Sequence, residues 1–227
     1  MSDVELVVVA DEQEAAALVA ELLARAARAG RSIVLTGGST PALAYAEAAR
    51  RESDWSHAEV WWGDERCVPP EHELSNYALA KRTLLDNLEH GPHAVHRIKG
   101  ERGKDQAAAE YDVALDDHTL DLLLLGVGPD GHVASLFPNA QTLQRHERVL
   151  PAEAGLEPFV DRVTLSLPTL CGADDVLFLL TGEAKADAAR RAFAEPPGPE
   201  TPASLVRSAQ GRTTAILDRA AAAELPA

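Results

Sequence analysis

The sequence predicts one α/β domain spanning residues 1–227, a Rossmann-like, mostly parallel sheet with helices on both faces. Two observations carry that expectation. Short aliphatic runs alternate with alanine-rich stretches of helical periodicity, the pattern of strands buried on both faces and joined by crossover helices. The clusters of glycine, charge and histidine fall just after aliphatic runs, where ligands of such sheets bind.

Residues 6–10 read as the first strand, being too short for a membrane span or a signal peptide. Residues 12–29 follow as a helix, with Ala16, Leu18, Val19, Leu22 and Leu23 at helical spacing. Residues 32–35 form a buried strand, and Thr36-Gly37-Gly38-Ser39-Thr40-Pro41 leads into a helix over 42–51. A strand over 59–62, a proline-rich loop, a helix over 74–88, a short strand over 96–98 and a helix over 104–116 come next. Residues 120–127 are the most hydrophobic strand. Further strands cover 163–165 and 176–180, followed by a helix over 183–193, a helical turn over 203–206 and a last strand over 213–217.

The 36 acidic residues outnumber the 21 basic ones, giving a formal charge of -15. Such a surface repels nucleic acid and anionic membranes, so neither is an expected partner. An anionic substrate would have to be held by a few local cations and backbone amides. No apolar run reaches the ~18 residues of a membrane span. Two cysteines, Cys67 and Cys171, make no disulfide framework and point to a reducing, cytoplasmic compartment. The chain is expected to act as a monomer or weak homo-oligomer.

Four segments carry chemistry. In Thr36–Pro41, Gly37 and Gly38 let the backbone approach a ligand, and Ser39 or Thr40 can cap the helix. Pro41 fits the first helical turn, whose amides and dipole suit phosphate. An ordinary strand-to-helix turn is an equal alternative on this segment alone. In Trp61-Trp62-Gly63-Asp64-Glu65-Arg66, a carboxylate and a guanidinium stand over the sheet, and Arg66 can fork onto phosphate. A solvated loop with a Glu–Arg pair is the simpler reading of that segment in isolation.

The third segment, Gly126-Val127-Gly128-Pro129-Asp130-Gly131-His132, formally matches a dinucleotide fingerprint. That fingerprint must open a crossover helix, and here Pro138 follows too closely. Asp130-Gly131 reads better as a tight turn presenting His132, which can serve as a general base beside a carboxylate, a satisfied structural histidine being the alternative. The fourth segment combines Arg162, on a strand, with Lys185, placed in the first turn of a helix. A cation there opposes the helix dipole, tolerably so if it serves a bound anion, although taken singly a solvent-facing lysine is the simpler reading. The histidines His57, His72, His90, His93, His96, His118 and His146 show no metal-ligand spacing, and Ser39 and Ser135 lack the context of a serine nucleophile.

Taken in order, these segments resemble the 6-phosphogluconolactonase family, within the wider group of glucosamine-6-phosphate deaminase-like folds. The most specific stretch is Gly128-Pro129-Asp130-Gly131-His132 followed by Ser135-Leu136-Phe137-Pro138. The resemblance implies hydrolysis of 6-phospho-D-glucono-1,5-lactone in the oxidative pentose phosphate pathway, with no metal and no organic cofactor. It makes His132 the base and Asp130 its neighbour. It gives Gly37, Gly38, Ser39, Thr40, Asp64 and Arg66 to the substrate and phosphate site, with Arg162 and Lys185 near the phosphate. Many relatives carry a lysine just after the glycine-rich turn; here Ala42 and Leu43 follow.

Two other readings share some of these features. An amino-sugar-phosphate deaminase or isomerase has a similar turn and a similar Asp-Gly-His segment, which continues there as D-G-H-I-A-F-N-E-P. This chain has Phe137 where that glutamate stands. A sugar-phosphate-sensing regulator of the same fold would carry a DNA-binding motif ahead of the domain. The first strand begins at about residue 6 and the charge opposes DNA, so that reading is disfavoured.

Overall fold

Ten strands and six α-helices alternate along the chain, seen in a computed structural model that describes residues 4–116 and 118–226. Residues 1–3, 117 and 227 of the expected domain lie outside the described residues. The elements run β1 (Val4–Val9), α1 (Glu12–Arg28), β2 (Ser32–Leu35), α2 (Ser39–Arg51), β3 (Glu59–Trp62), β4 (Asp64–Arg66), α3 (Asn76–Thr83) and β5 (Ala94–Val95). They continue with α4 (Lys104–Ala114), β6 (Leu122–Leu125), β7 (Val149–Ala152), β8 (Arg162–Leu165), α5 (Leu167–Cys171), β9 (Asp175–Leu180), α6 (Ala186–Phe193) and β10 (Arg212–Asp218).

Seven strands form one sheet in the order β1-β10-β9-β6-β2-β3-β5, and every pairing in it is parallel. All four residues of β2 and of β6 are buried, as a sheet covered on both faces requires. Consecutive tryptophans show the two coverings, since neighbouring side chains leave a strand on opposite faces. Trp61 meets Tyr111 of α4 edge-on at 5.7 Å, while Trp62 meets Tyr77 of α3 at 5.5 Å. Farther along the sheet, Phe178 of β9 packs on Phe193 of α6 at 5.3 Å. The helices bury alanine where the sheet buries leucine and valine, so the layers approach closely with few aromatic spacers.

From β2 the chain winds outward through β3 and β5, then returns to place β6 on the other side of β2. The crossovers diverge there, and a crevice opens at the carboxyl ends of β2 and β6. Two buried tyrosines fix the strand ends beside it. The Tyr45 hydroxyl accepts from Thr36 N at 2.9 Å and donates to Thr36 O at 2.7 Å. The Tyr111 hydroxyl brackets Trp62 in the same way, at 2.8 and 3.0 Å. Burial pushes both phenol pKa values up, so both remain neutral donors.

Strand β7 and helix α5 were not expected from the sequence, and other elements differ from the expectation as follows. The strand at 162–165 is no member of the main sheet; it joins a second, antiparallel sheet of order β4-β8-β7. The loop expected at Asp64–Arg66 is the edge strand of that sheet. The short strand after α3 lies at Ala94–Val95, just before the residues where it was expected.

Candidate active site

The crevice is a cavity of about 290 Å³ whose walls come from the ends of β2, β6 and β9 and from the small sheet. Gly37, Gly38, Ser39, Thr40, Asp64, Arg66, His132, Arg162 and Lys185 all line it. Asp130 stands directly behind His132. All the site residues expected from sequence are therefore gathered at one place, in three functional layers.

The first layer is the imidazole. After β6, Gly128-Pro129-Asp130-Gly131-His132 folds as a tight hairpin, with Gly128 N donating to His132 O and Gly131 N to Gly128 O, both at 2.9 Å. Gly131 completes the turn at φ 89°, a left-handed conformation suited to glycine. Asp130 Oδ1 accepts from the His132 backbone N at 3.1 Å and lies 2.6 Å from His132 Nδ1. With the Nδ1 proton held by that carboxylate, the basic nitrogen is Nε2. Burial raises the Asp130 pKa, but the hydrogen bonds and charge of His132 outweigh it and hold the carboxyl below its ordinary value.

Gly128 makes this pairing possible. A Cβ there would lie 2.0 Å from His132 Nδ1 and 2.7 Å from Asp130 Oδ1. From outside, Arg191 of α6 clamps the turn, donating to Asp130 O at 3.1 Å and Pro129 O at 2.9 Å. Asp187 and Thr201 hold that guanidinium in turn, at 2.8 and 3.0 Å. Sequence reasoning did not find Arg191. It lies 61 positions from Asp130 and belongs to no glycine-rich or histidine motif.

The second layer is cationic. Arg66 and Arg162 are directly opposite each other in the β4–β8 register. Arg162 is buried, Arg66 half-buried, and the Nε of each is buried without a hydrogen-bond partner. Burial and the nearby Arg66 charge pull the Arg162 pKa down. The expected Glu65–Arg66 pair does not form. Glu65 turns inward and accepts from Ser75 Oγ and the Arg66, Asn76 and Tyr77 amides, tying β4 to the start of α3. Burial raises the Glu65 pKa, only partly countered by those donors.

Lys185 reaches the same cavity. It ends a 3₁₀ turn and caps α6, and its Nζ donates to Val127 O at 2.7 Å. Burial lowers its pKa, with Asp130 acting in the opposite sense.

The third layer is the glycine-rich turn. Gly38, at φ 119°, occupies the cap position of α2, and no side chain caps the helix. This corrects the expectation of a Ser39 or Thr40 cap. Ser39 is already helical, and the Thr40 hydroxyl bonds Glu12 at 2.8 Å and Thr181 at 2.7 Å. The amides of Ser39 and Thr40 stand at the positive end of a 13-residue helix, on the cavity wall. Gly37 is packed so tightly that a Cβ would lie 2.1 Å from Asn76 Oδ1. Asn76 in turn donates to Asp64 Oδ1 at 3.0 Å, and Ser135 Oγ donates to Asp64 Oδ2 at 2.7 Å. Asp64 thus ties α3, β4 and the hairpin segment together.

A carboxylate-paired imidazole, two facing arginines and uncapped helix amides thus surround one crevice of an α/β protein. A family model described as glucosamine-6-phosphate isomerases/6-phosphogluconolactonase matches residues 9–215. The chain belongs to that family. It is 37% identical to the 6-phosphogluconolactonase of Streptomyces coelicolor, over 100% of this chain and 97% of the relative. The structure of 6-phosphogluconolactonase from Trypanosoma brucei superposes with a TM-score of 0.85 at 26% identity, covering 100% of both chains. A monomeric glucosamine-6-phosphate deaminase superposes equally well, with a TM-score of 0.87 at 17% identity over 97% of this chain and 99% of that one. At that identity the likeness speaks for the fold alone.

Proposed function

We propose that the chain is a 6-phosphogluconolactonase, hydrolysing 6-phospho-D-glucono-1,5-lactone to 6-phosphogluconate in the oxidative pentose phosphate pathway, with His132 as general base. The observation that carries the reading is one cavity holding both a carboxylate-oriented imidazole and two guanidinium Nε donors that lack protein partners. Guanidinium groups on a cavity wall suit a phosphate dianion, which accepts their charge-assisted hydrogen bonds.

The chemistry follows from the geometry. Arg66 and Arg162, with the Ser39 and Thr40 amides, hold the phosphate, and Lys185 adds a local cation in a chain that is otherwise strongly acidic. That grip fixes the lactone ring, so binding energy remote from the carbonyl orients the reacting bond. His132 Nε2 takes a proton from water as its oxygen attacks the lactone carbonyl. The tetrahedral oxyanion collapses, the bond from the carbonyl carbon to the ring oxygen breaks, and the imidazolium returns the proton to that oxygen. Asp130 stays ionised throughout and stabilises the transient imidazolium.

The test is timed disappearance of freshly prepared 6-phosphogluconolactone against an enzyme-free control, because the lactone also hydrolyses unaided. Catalysed loss of lactone with matching acid release supports the assignment. Disappearance at the background rate at high enzyme concentration rejects it.

A further inference from the structure

Among the described residues, one group of three metal-ligating side chains converges, and it lies outside the catalytic cavity: Glu59, His96 and His118. Glu59 opens β3, His96 directly follows β5, and His118 lies in the connection between α4 and β6. Their spacing in sequence gives no warning of this. The parallel pairing of β3 with β5 sets His96 beside Trp61, two residues from Glu59 and on the same face.

Glu59 Oε2 is 3.3 Å from His96 Nε2 and 3.7 Å from His118 Nε2. Two ligands of a tetrahedral ion with bonds of about 2.0–2.2 Å lie roughly 3.3–3.5 Å apart. The three donor atoms all fall within 4.8 Å of one another, so a modest contraction closes the shell. Both rings are pre-oriented. His96 stacks on Trp61 at 3.7 Å and 11°, and His118 packs against the same indole at 5.0 Å. His118 Nδ1 donates to Asp116 O at 3.0 Å, which leaves the Nε2 lone pair directed to the carboxylate side. A backbone carbonyl behind a ligating imidazole is the usual supporting arrangement in metal sites.

A plain His–Glu ion pair explains the cluster less well. His96 Nε2 is buried and, at 3.3 Å from Glu59 Oε2, lacks a hydrogen bond of regular geometry.

We propose that Glu59, His96 and His118 form a site for one divalent transition-metal ion of the zinc class, with water completing the shell. Two imidazoles and one carboxylate suit Zn²⁺ and its neighbours better than Ca²⁺ or Mg²⁺. The ion ties the α4–β6 connection to β3 and β5, so its role is to stabilise the fold while the catalytic cavity works independently.

The test uses the full chain, freed of metal with chelator and titrated with Zn²⁺, then with Co²⁺ as a visible-absorbing substitute. The expected result is one equivalent bound and a rise in Tm of about 5–10 °C at free Zn²⁺ near a hundredfold above Kd. Co²⁺ should give the intense d–d absorption of a low-coordinate site. His118→Gln and Glu59→Gln should each abolish the Tm rise and the Co²⁺ absorption, while hydrolysing the lactone at the wild-type rate. No Tm response and no absorption in the wild type overturns the proposal. So does binding that survives in both variants, because the ion then sits elsewhere.

Discussion

Arg66 and Arg162 face each other across the β4–β8 ladder, and each has a buried Nε that no protein group accepts. Like charges directly opposite in a sheet oppose folding, and the carboxylates of Asp64 and Glu65 offset this pair only in part. The arrangement makes sense when an anion lies between them. Arg66→Ala should therefore lower kcat/KM for the phosphorylated lactone far more than for the unphosphorylated one. Charge-assisted hydrogen bonds of about 1.5–3 kcal/mol correspond to a narrowing of that ratio by roughly ten- to hundredfold. An unchanged ratio would remove Arg66 from the phosphate site.

His132→Ala should cost about 10²–10⁴-fold in kcat, the range for loss of a general base. The residue lies in a turn at the cavity wall and its side chain is only partly buried, so the fold should persist, as circular dichroism would show. Gly128→Ala is the sharper variant, because it leaves His132 and Asp130 in place. Its Cβ would sit 2.0 Å from His132 Nδ1, so the pair must separate. A fall in kcat approaching that of His132→Ala is expected; a fully active Gly128→Ala would mean the 2.6 Å contact is dispensable.

The Asp130 carboxyl is held below its ordinary pKa, with burial opposing and His132 favouring ionisation. Because the folded-state value is depressed, its contribution to stability is complete above the unfolded value of about 3.9. That contribution is lost as pH falls through the folded value. The Tm difference between wild type and Asp130→Asn should accordingly be flat from neutrality down to about pH 5 and shrink below about pH 4. A difference that grows on acidification would contradict the ionised pairing.

Arg191 acts through the turn and is a positioning residue. Its guanidinium spans the Pro129 and Asp130 carbonyls, a two-pronged contact that an ammonium cannot reproduce. Arg191→Lys should lower kcat with KM nearly unchanged, because the proposed phosphate ligands Arg66 and Arg162 stand on other elements. A rise in KM alone would place Arg191 in substrate binding instead.

How far the sequence reveals this protein depends on how local each signal is. The parallel sheet was legible because β2, β6 and β9 carry the apolar runs Ile33–Leu35, Leu122–Leu125 and Val176–Leu180, and Asp130-Gly131-His132 was legible because its geometry closes within a few residues. The small sheet was not. Its strand Asp64–Arg66 consists wholly of charged residues, and Val149–Ala152 contains Pro151, so neither shows a strand's period. The Arg66–Arg162 pairing depends on that sheet and was invisible with it; only the two residues were named. Arg191 and the Glu59–His96–His118 cluster likewise arise from contacts between distant elements.

The deaminase alternative turns on Phe137. In the deaminase-like segment D-G-H-I-A-F-N-E-P a glutamate stands at that position, whereas here the ring is buried at 6% exposure. It lies 4.8 Å from the His132 ring and 5.7 Å beneath the Arg162 guanidinium, so it occupies space between base and cation with apolar surface. Ring opening and aldose–ketose isomerisation need several proton transfers at different atoms, which an aromatic side chain cannot mediate. Lactone hydrolysis needs one activated water, which the proposed base His132 would supply alone. Neither ammonia nor fructose-6-phosphate should form from glucosamine-6-phosphate, even at high enzyme and long incubation. Phe137→Glu should not restore either product, because it buries a carboxylate between His132 and Arg162, where it neutralises the phosphate pocket and lowers lactonase activity. Either product appearing at rates near those of lactone hydrolysis would make the chain a deaminase and demote the lactonase reading.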